Sequence, residues 1–509
     1  MPFLLLLVLM FSCLPVNWPA PPSWVGAFGR NALALLGVES FEGADWFGSV
    51  LLTWSGVLAL AAVAWVMSCL TRRRLRFHLE EREVLVRRQG AFRFYHFLAL
   101  LAFYAGALYL LGWGWVVQGA WPNPAAPSTL FPGFELLIVT PLLAALVGSW
   151  ISFYDVERDL HSAGDSRGVS TYWTRWAYVA FHLRQNIALV FVPVLLLIIL
   201  NNLVRLMPQA EASQQNLAGG LSIAAALSVF STMPWILRLV LGLKPMPAGE
   251  LRTRLVGACH RLRFRCSNIL IWNTRGGVVN AMVVGIFPFL RYVILTDRLV
   301  TEMTPDEVES VFGHEVGHIK HRHMWYYLVF ILMSLPVLIQ LWQAAELERL
   351  FDLGARKDLA LLPLVVVLGT YMFVVFGFLS RRCERQADIY GCRTVSCGRR
   401  DCCGHESDAE LLPKARGLCR TGIHVFINAL EKVAYLNGIS RDRPGWLQSW
   451  QHSTIARRVD FLQRVSDDPL LEPRFQRRVG LVKCALLLTL VAALALIGTT
   501  TSWSNIFSF

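Results

Sequence analysis

A chain of 509 residues that is 55% hydrophobic and only 16% charged, with a mean hydropathy of +0.47, is too apolar for a soluble globular protein. Its net charge of +13 sits in arginines clustered at the ends of apolar segments, which is a pattern of membrane orientation and argues against a nucleic-acid partner. The 11 cysteines are odd in number and six fall between Cys383 and Cys419, which argues against a disulfide framework.

Residues 2–14 are apolar without a basic start, and both a signal anchor and a cleaved signal peptide remain open there. Residues 46–70 are long enough to cross about 30 Å of hydrocarbon. The basic stretch TRRRLRFHLEEREVLVRRQ follows at once and sets the cytoplasmic side. From that anchor, 95–117 leads out and 131–153 returns to a charge-balanced inner loop over 154–185. Residues 187–204 lead out again and 217–243 come back. Lys244, Arg252, Arg254, Arg261, Arg263 and Arg265 then recur where the positive-inside rule expects them. Two further spans at 324–342 and 359–379 form a hairpin, 380–478 is polar and Arg-rich, and 481–499 closes the chain. The total is eight or nine spans.

Between the returning span 217–243 and the hairpin the texture changes. Asn268–Trp272, Val278–Val284 and Tyr292–Leu295 are short, β-branched and bounded by Gly, Pro or Arg, so they read as strands of a small sheet. An exposed edge of such a sheet can pair with an extended peptide through main-chain hydrogen bonds.

The stretch from Thr304 to His323, TPDEVESVFGHEVGHIKHRH, is a helix by local signals. Thr304 and Glu307 have capping-box spacing, Pro305 stands at the first helical position, and Val308, Val311, Phe312 and Ile319 make an apolar stripe. Within it, His314 and His318 lie four apart on one face, so both imidazoles can reach one zinc ion, and Glu315 is placed to take a proton from the attacking water. A tetrahedral site with an open position needs one more protein ligand. His321 shares a face with His314 but lies two turns on; it and His323 read as a helix end facing cytoplasmic water. The better third ligand comes from SRRCERQADIYG, where Glu384 and Asp388 share a helical face and the two-span hairpin returns them beside the first helix. Glu384 would bind the ion and Asp388 would accept the free N–H of a ligating histidine.

HEVGHIKHRH, followed after a two-span hairpin by Glu384-x-x-x-Asp388, resembles the HtpX and CaaX prenyl protease family of integral-membrane zinc metallopeptidases. The family's strand motif, Asn-Ala with a Gly four residues later, is matched by Asn280, Ala281 and Gly285, and its His-Pro-Pro-x-x-x-Arg segment by His452 and Arg458, with Ser453 and Thr454 in place of the prolines. The resemblance covers roughly residues 240–465. It implies a single catalytic Zn2+ on His314, His318 and Glu384, with Glu315 as general base and then proton donor. It further implies His452 at the oxyanion, Arg458 assisting or holding Asp388 or the substrate, and Asn280 with Ala281 binding substrate at the edge strand.

Cysteine placement departs from that pattern in CRTVSCGRRDCCGHESDAELLPKARGLC. Without a paired C-x-x-C knuckle it reads first as a loop of reduced thiols; the alternative is a second, structural zinc on Cys397, Cys402, Cys403, His405 and Cys419.

The expected fold class is mainly α: a polytopic membrane helix bundle of eight or nine spans with a small α+β zincin-like catalytic domain on the cytoplasmic side. The expected divisions are 1–243 (N-terminal spans), 244–323 (sheet and HExxH helix), 324–379 (hairpin), 380–478 (third ligand and Cys-rich insert) and 479–509 (last span and tail). The expected activity is a zinc metalloendopeptidase acting on peptide or protein substrates associated with the lipid bilayer, in quality control or processing. A prenyl-peptide processing protease is the alternative within that class, and a non-catalytic scaffold or transporter the alternative outside it. In a bacterium such a protein would lie in the inner membrane.

Overall fold

The structure, a computed structural model, describes residues 18–38, 43–119, 134–163, 172–188, 191–193, 195–196, 199–200, 203, 212–344, 367, 369–397, 402, 417–442 and 452–500. The chain divides into two compact units, Met1–Gly242 and Leu243–Phe509.

The first unit contains α1 (Ser23–Leu35), α2 (Ala44–Phe77), α3 (Arg82–Tyr109), α4 (Trp113–Gly119), α5 (Thr140–Ser162), α6 (Arg175–His182) and α7 (Ala212–Val240). Three stretches here, Ala44–Phe77, Leu79–Tyr109 and Leu137–Ser162, are long and apolar enough to cross a membrane, while the apolar part of α7, Leu227–Val240, is shorter. The expected segment 2–14 lies outside the described residues, as does much of 187–204. Aromatic side chains such as Tyr104, Trp113, Trp150 and Tyr178 fill the core among these helices. Acidic residues of the expected inner loop 154–185 lie on the last turns of α5 and are paired there. Asp159 accepts from Arg72 Nε at 2.7 Å, Asp155 from Arg175 Nη2 at 2.9 Å, and Glu157 pairs with Arg93.

In the second unit a four-stranded sheet is formed by β1 (Lys244–Pro245), β2 (Asn268–Trp272), β3 (Ala281–Val284) and β4 (Tyr292–Thr296), in the order β1-β2-β4-β3. β2 runs parallel to β4 with Asn268 opposite Tyr292, and β3 runs antiparallel to β4 with Val283 opposite Val293. β3 is therefore an edge. The strand expected at 268–272 forms there, and the one at 292–295 extends by one residue. The strand expected from Val278 starts only at Ala281, because the backbone of Val279 is engaged by a side chain: its N–H donates to Asn437 Oδ1 at 2.9 Å and its carbonyl accepts from Nδ2 at 2.7 Å.

Helices of this unit are α8 (Glu250–Arg261), α9 (Asp297–Glu302), α10 (Pro305–Lys320), α11 (His323–Ala344), α12 (Gly377–Thr394), α13 (Arg420–Leu436), α14 (Ile455–Asp467) and α15 (Leu471–Thr500). The capping box of α10 is formed: Thr304 Oγ1 accepts from Glu307 N at 3.3 Å, and Glu307 Oε2 accepts from Thr304 N at 2.9 Å. Val308, Phe312 and Val316 are fully buried against Leu255, Leu295 and Leu299, which is worth about 1.5–3 kcal/mol per side chain. On the same helix Glu309 is fully buried, a position no carboxylate tolerates alone. Arg254 Nε, 2.5 Å away, and Arg261 of α8 both pair with it, so α8 is tied to the motif helix by charge as well as by apolar contact. A second core joins Ile389 of α12, Phe426 of α13 and Leu462 of α14. The span expected at 324–342 falls on α11, residues 359–366 and 368 of the span expected at 359–379 lie outside the described residues, and Leu471–Ala495 is the fourth membrane-capable stretch.

Candidate metal centre and active site

The site is assembled where α12 crosses α10 at close range. A Cβ on Gly317 would lie 2.9 Å from Tyr390 Cβ and 3.1 Å from Ala387 Cα, so the glycine inside HEVGH is what lets the two backbones approach. That approach lays Glu384 over the two histidines. Nε2 of His314 and Nε2 of His318 face each other at 3.3 Å, and the Glu384 carboxylate oxygens stand 3.8 Å from the first and 3.5 Å from the second. A tetrahedral ion with donor bonds of about 2.0–2.1 Å holds two nitrogens about 3.3–3.4 Å apart. His314, His318 and Glu384 offer ligand atoms all within 4.8 Å of one another, so the donor set fits a small, borderline-soft dication.

Each ligand is held from behind. Nδ1 of His314 lies 3.0 Å from Oδ1 of Asp388; the contact is short but poorly aligned, so it acts more by charge than as a directed hydrogen bond. Asp388 is in turn gripped by Arg458 of α14, whose Nε donates to Oδ2 at 2.9 Å while Nη2 pairs with Oδ1. The same guanidinium is 4.0 Å from Glu384 Oε2. His452 is largely exposed, at 59%, with Nδ1 3.0 Å from Glu384 Oε2.

His318 is supported by a residue whose expected place was in water. His323 is fully buried, its Nδ1 3.0 Å from His318 Nδ1 and its Nε2 3.1 Å from Gln386 Oε1. The expectation assumed one unbroken helix through His323. Instead α10 ends at Lys320, Arg322 takes a φ of +56°, and α11 begins at His323, which turns that ring back onto the site. His321 remains partly exposed, stacked on His323. With Nε2 of His318 as the ligand atom, its Nδ1–H donates to His323, whose Nε2–H donates to Gln386; this tautomer follows from the network. Gln386 Oε1 also accepts from Lys483 Nζ at 3.0 Å, and its Nε2 donates to Gln476 Oε1 at 2.6 Å.

Electrostatics favour the charge states that metal binding needs at Glu384 and His318, and work against the neutral form at His314. Burial raises the cost of ionising Glu384, yet the hydrogen bond and charge of His452 and the two other imidazoles hold it well below the usual carboxylate range. Burial likewise opposes Asp388, but Arg458 and His314 keep it ionised below its ordinary value. His318 is pushed down to about 4, first by burial and then by His314, so it is neutral near pH 7. Burial also works against a charged His314, but Asp388 and Glu384 outweigh it and raise its pKa.

Glu315 points the other way, toward the sheet. Its Oε2 accepts from the Val283 N–H of the edge strand at 3.3 Å, and burial pushes its carboxyl up to about 7. Asn280 turns its main chain inward, accepting from Thr296 N and donating to Thr296 Oγ1, both at 3.0 Å. By the alternation of an antiparallel pair, the main-chain groups of Ala281 and Val283 face away from β4, on the side of Glu315. The Asn280 side chain is exposed. Gly285, at φ +105°, ends the strand where a Cβ would meet Leu290 O at 2.5 Å. Arg291, unremarked in the sequence, fastens that turn through the carbonyls of Gly285 and Arg265, each at 3.1 Å.

Histidine and carboxylate donors closing on one point, beside the Glu315 carboxylate and an open strand edge, are the arrangement expected of a metallopeptidase domain. Residues 268–411 match Peptidase family M48, and this part of the chain is an M48 peptidase domain; His452 and Arg458 lie beyond the matched residues. The CAAX prenyl protease 1 homolog of Dictyostelium discoideum is 29% identical over 156 residues, covering 28% of this chain and 36% of that protein. The Protease HtpX homolog of Archaeoglobus fulgidus is 30% identical over 119 residues, covering 23% and 35%. The chain thus aligns with only about a third of the length of these curated relatives. The crystal structure of S. mikatae Ste24p superposes with a TM-score of 0.48 at 15% identity, covering 87% of this chain and 99% of that one.

Proposed function

We propose that this protein is a multi-pass membrane zinc metalloendopeptidase that cleaves membrane or membrane-associated proteins on the cytoplasmic side. The observation that carries the reading is the convergence of His314, His318 and Glu384 within 4.8 Å, with Glu315, next to His314 in the chain, facing the edge strand β3. Zinc on those three ligands supplies a Lewis acid for the scissile carbonyl and the attacking water.

The chain's own groups supply the rest. An extended substrate adds to β3, taking the outward main-chain groups of Ala281 and Val283, with the Asn280 side chain steadying its backbone. Glu315 leaves the Val283 N–H as the substrate pairs there, accepts a proton from the attacking water and delivers it to the leaving amine. His452 keeps Nδ1 on Glu384 and turns Nε2 toward the developing oxyanion. Arg458 holds Asp388, which holds His314, so its contribution runs through the ligand set.

Cytoplasmic orientation is supported by the arginines between Lys244 and Arg265 and by those within residues 71–88. The eight or nine spans belong to the same reading, with four membrane-capable stretches among the described residues supporting it. A prenylated C-terminal peptide is the second substrate reading, favoured by the relative named as a CAAX prenyl protease 1 homolog. Full-length protein purified in detergent, given an unfolded membrane protein and a prenylated peptide in parallel, tests both. Chelator-sensitive cleavage restored by Zn2+ is expected, and the better substrate names the branch. Failure to cleave either favours a scaffold with a degenerate peptidase domain.

A further inference from the structure

The Cys-rich insert brings a second donor cluster together, on the far end of α12 from Glu384. Cys397 follows the last residue of that helix, Thr394, by three positions, and Cys419 is the N-cap of α13. Together with Cys402 they present sulfur atoms within 4.8 Å of one another, and the structure forms no disulfide among them. From these three thiols we infer a second metal site, structural in role, that takes a soft or borderline dication such as Zn2+.

Distance decides first. Zinc–sulfur bonds of about 2.3 Å place tetrahedral sulfurs about 3.8 Å apart, so three sulfurs already within 4.8 Å need move by no more than about an ångström. A disulfide would use two of them and strand the third.

The surroundings are built as well. The stems of the insert are joined beside the sulfurs: Cys419 N donates to Ser396 Oγ at 3.2 Å, and Ser396 Oγ donates to the Cys392 carbonyl at 2.7 Å. The Gly422 N–H at the start of α13 is aimed at Cys419 Sγ at 3.2 Å, and Thr421 Oγ1 lies 3.3 Å from Cys402 Sγ. Such donors aimed at sulfur are what a metal-bound thiolate takes as its outer hydrogen bonds. Cys397 and Cys419 are buried, while Cys402 is only partly so, leaving one side of the cluster open to an incoming ion. Binding releases the thiol protons to water, and the fourth position belongs to a further donor or to water. The bound ion closes the base of the insert and fixes the end of α12 against the start of α13.

Metal content of the full-length protein, purified under reducing conditions, tests this directly. The wild type is expected to hold two zinc ions per chain. The triple variant Cys397→Ser, Cys402→Ser, Cys419→Ser keeps one, and His314→Ala keeps the other. Cobalt replacement guards against misfolding of the triple variant. Co2+-loaded wild type and His314→Ala are both expected to show a thiolate-to-cobalt charge-transfer band, which a site of two histidines and a carboxylate cannot produce. A single zinc lost with His314→Ala overturns the inference, as do two zincs insensitive to the cysteine substitutions or cobalt-loaded protein without the thiolate band.

Discussion

His318 and His323 share a hydrogen bond between their Nδ1 atoms, 3.0 Å apart, across a break between two helices. One ring belongs to the candidate metal site and the other is its hydrogen-bond acceptor, linked onward to Gln386, Gln476 and Lys483. The candidate metal site is therefore tied to α15, one of the apolar helices. Replacing His323 by Ala removes the acceptor for His318 Nδ1–H and leaves a buried donor unpaired. Zinc affinity and activity are expected to fall by about 10- to 100-fold, as for other groups that orient a metal ligand. Asn at 323, able to accept at a similar reach, should recover part of the loss. Zinc titration against a competing chelator measures both.

The Arg458–Asp388 pair is buried on both sides and stands behind His314. Arg458→Met leaves the Asp388 charge without its main partner and is expected to cost about 3–5 kcal/mol. The pH dependence has a definite sign. Because the folded-state pKa of Asp388 is lowered, its contribution is full above the unfolded value of about 3.9 and is lost as pH falls through the lowered value. Thermal unfolding of wild type should thus fall away in acid, and the gap between wild type and Arg458→Met should narrow there.

Gly317 allows the approach that places Glu384. Ala at this position puts a Cβ 3.1 Å from a backbone atom, Ala387 Cα, which cannot move aside as a flexible side chain could. The expected cost is about 1–3 kcal/mol of stability, with α10 and α12 forced apart. Zinc binding should weaken along with it, although no ligand is altered. Calorimetry and metal titration on one variant check the two effects together.

Much of this site was legible because its signals are local. The capping box, the four-residue spacing of His314 and His318, and the matching spacing of Glu384 and Asp388 each follow from helix geometry alone. The strand Asn268–Trp272 announced itself by β-branching and flanking residues. What escaped depends on tertiary contact. No glycine or proline marks the break at Arg322, so His323 could not be placed by pattern. Asn437 and Arg291 secure the edge strand and its following turn from positions that carry no motif. The sulfur cluster was half legible: the cysteines were visible, but only folding shows which three meet.

In the proposed mechanism Glu315 gives the pH profile its acid limb. Its carboxyl sits at about 7 through burial, and a bound dication next to it can only lower that value. As general base it must be ionised, so kcat/KM is expected to fall as pH drops, with a midpoint at or below about 7, and to level off above it. A limb centred well above pH 7 would point to another group as the base.

The most direct measurement is zinc content and peptide cleavage in one preparation of Glu315→Gln. Gln keeps the size of the side chain and its reach to the Val283 N–H, and removes only the ability to accept a proton. The variant is expected to keep its zinc on His314, His318 and Glu384 and to lose cleavage by about 100- to 10,000-fold or more. A Glu315→Gln protein that holds zinc and cleaves at the wild-type rate contradicts the assignment of Glu315 and, with it, the proposed peptidase mechanism.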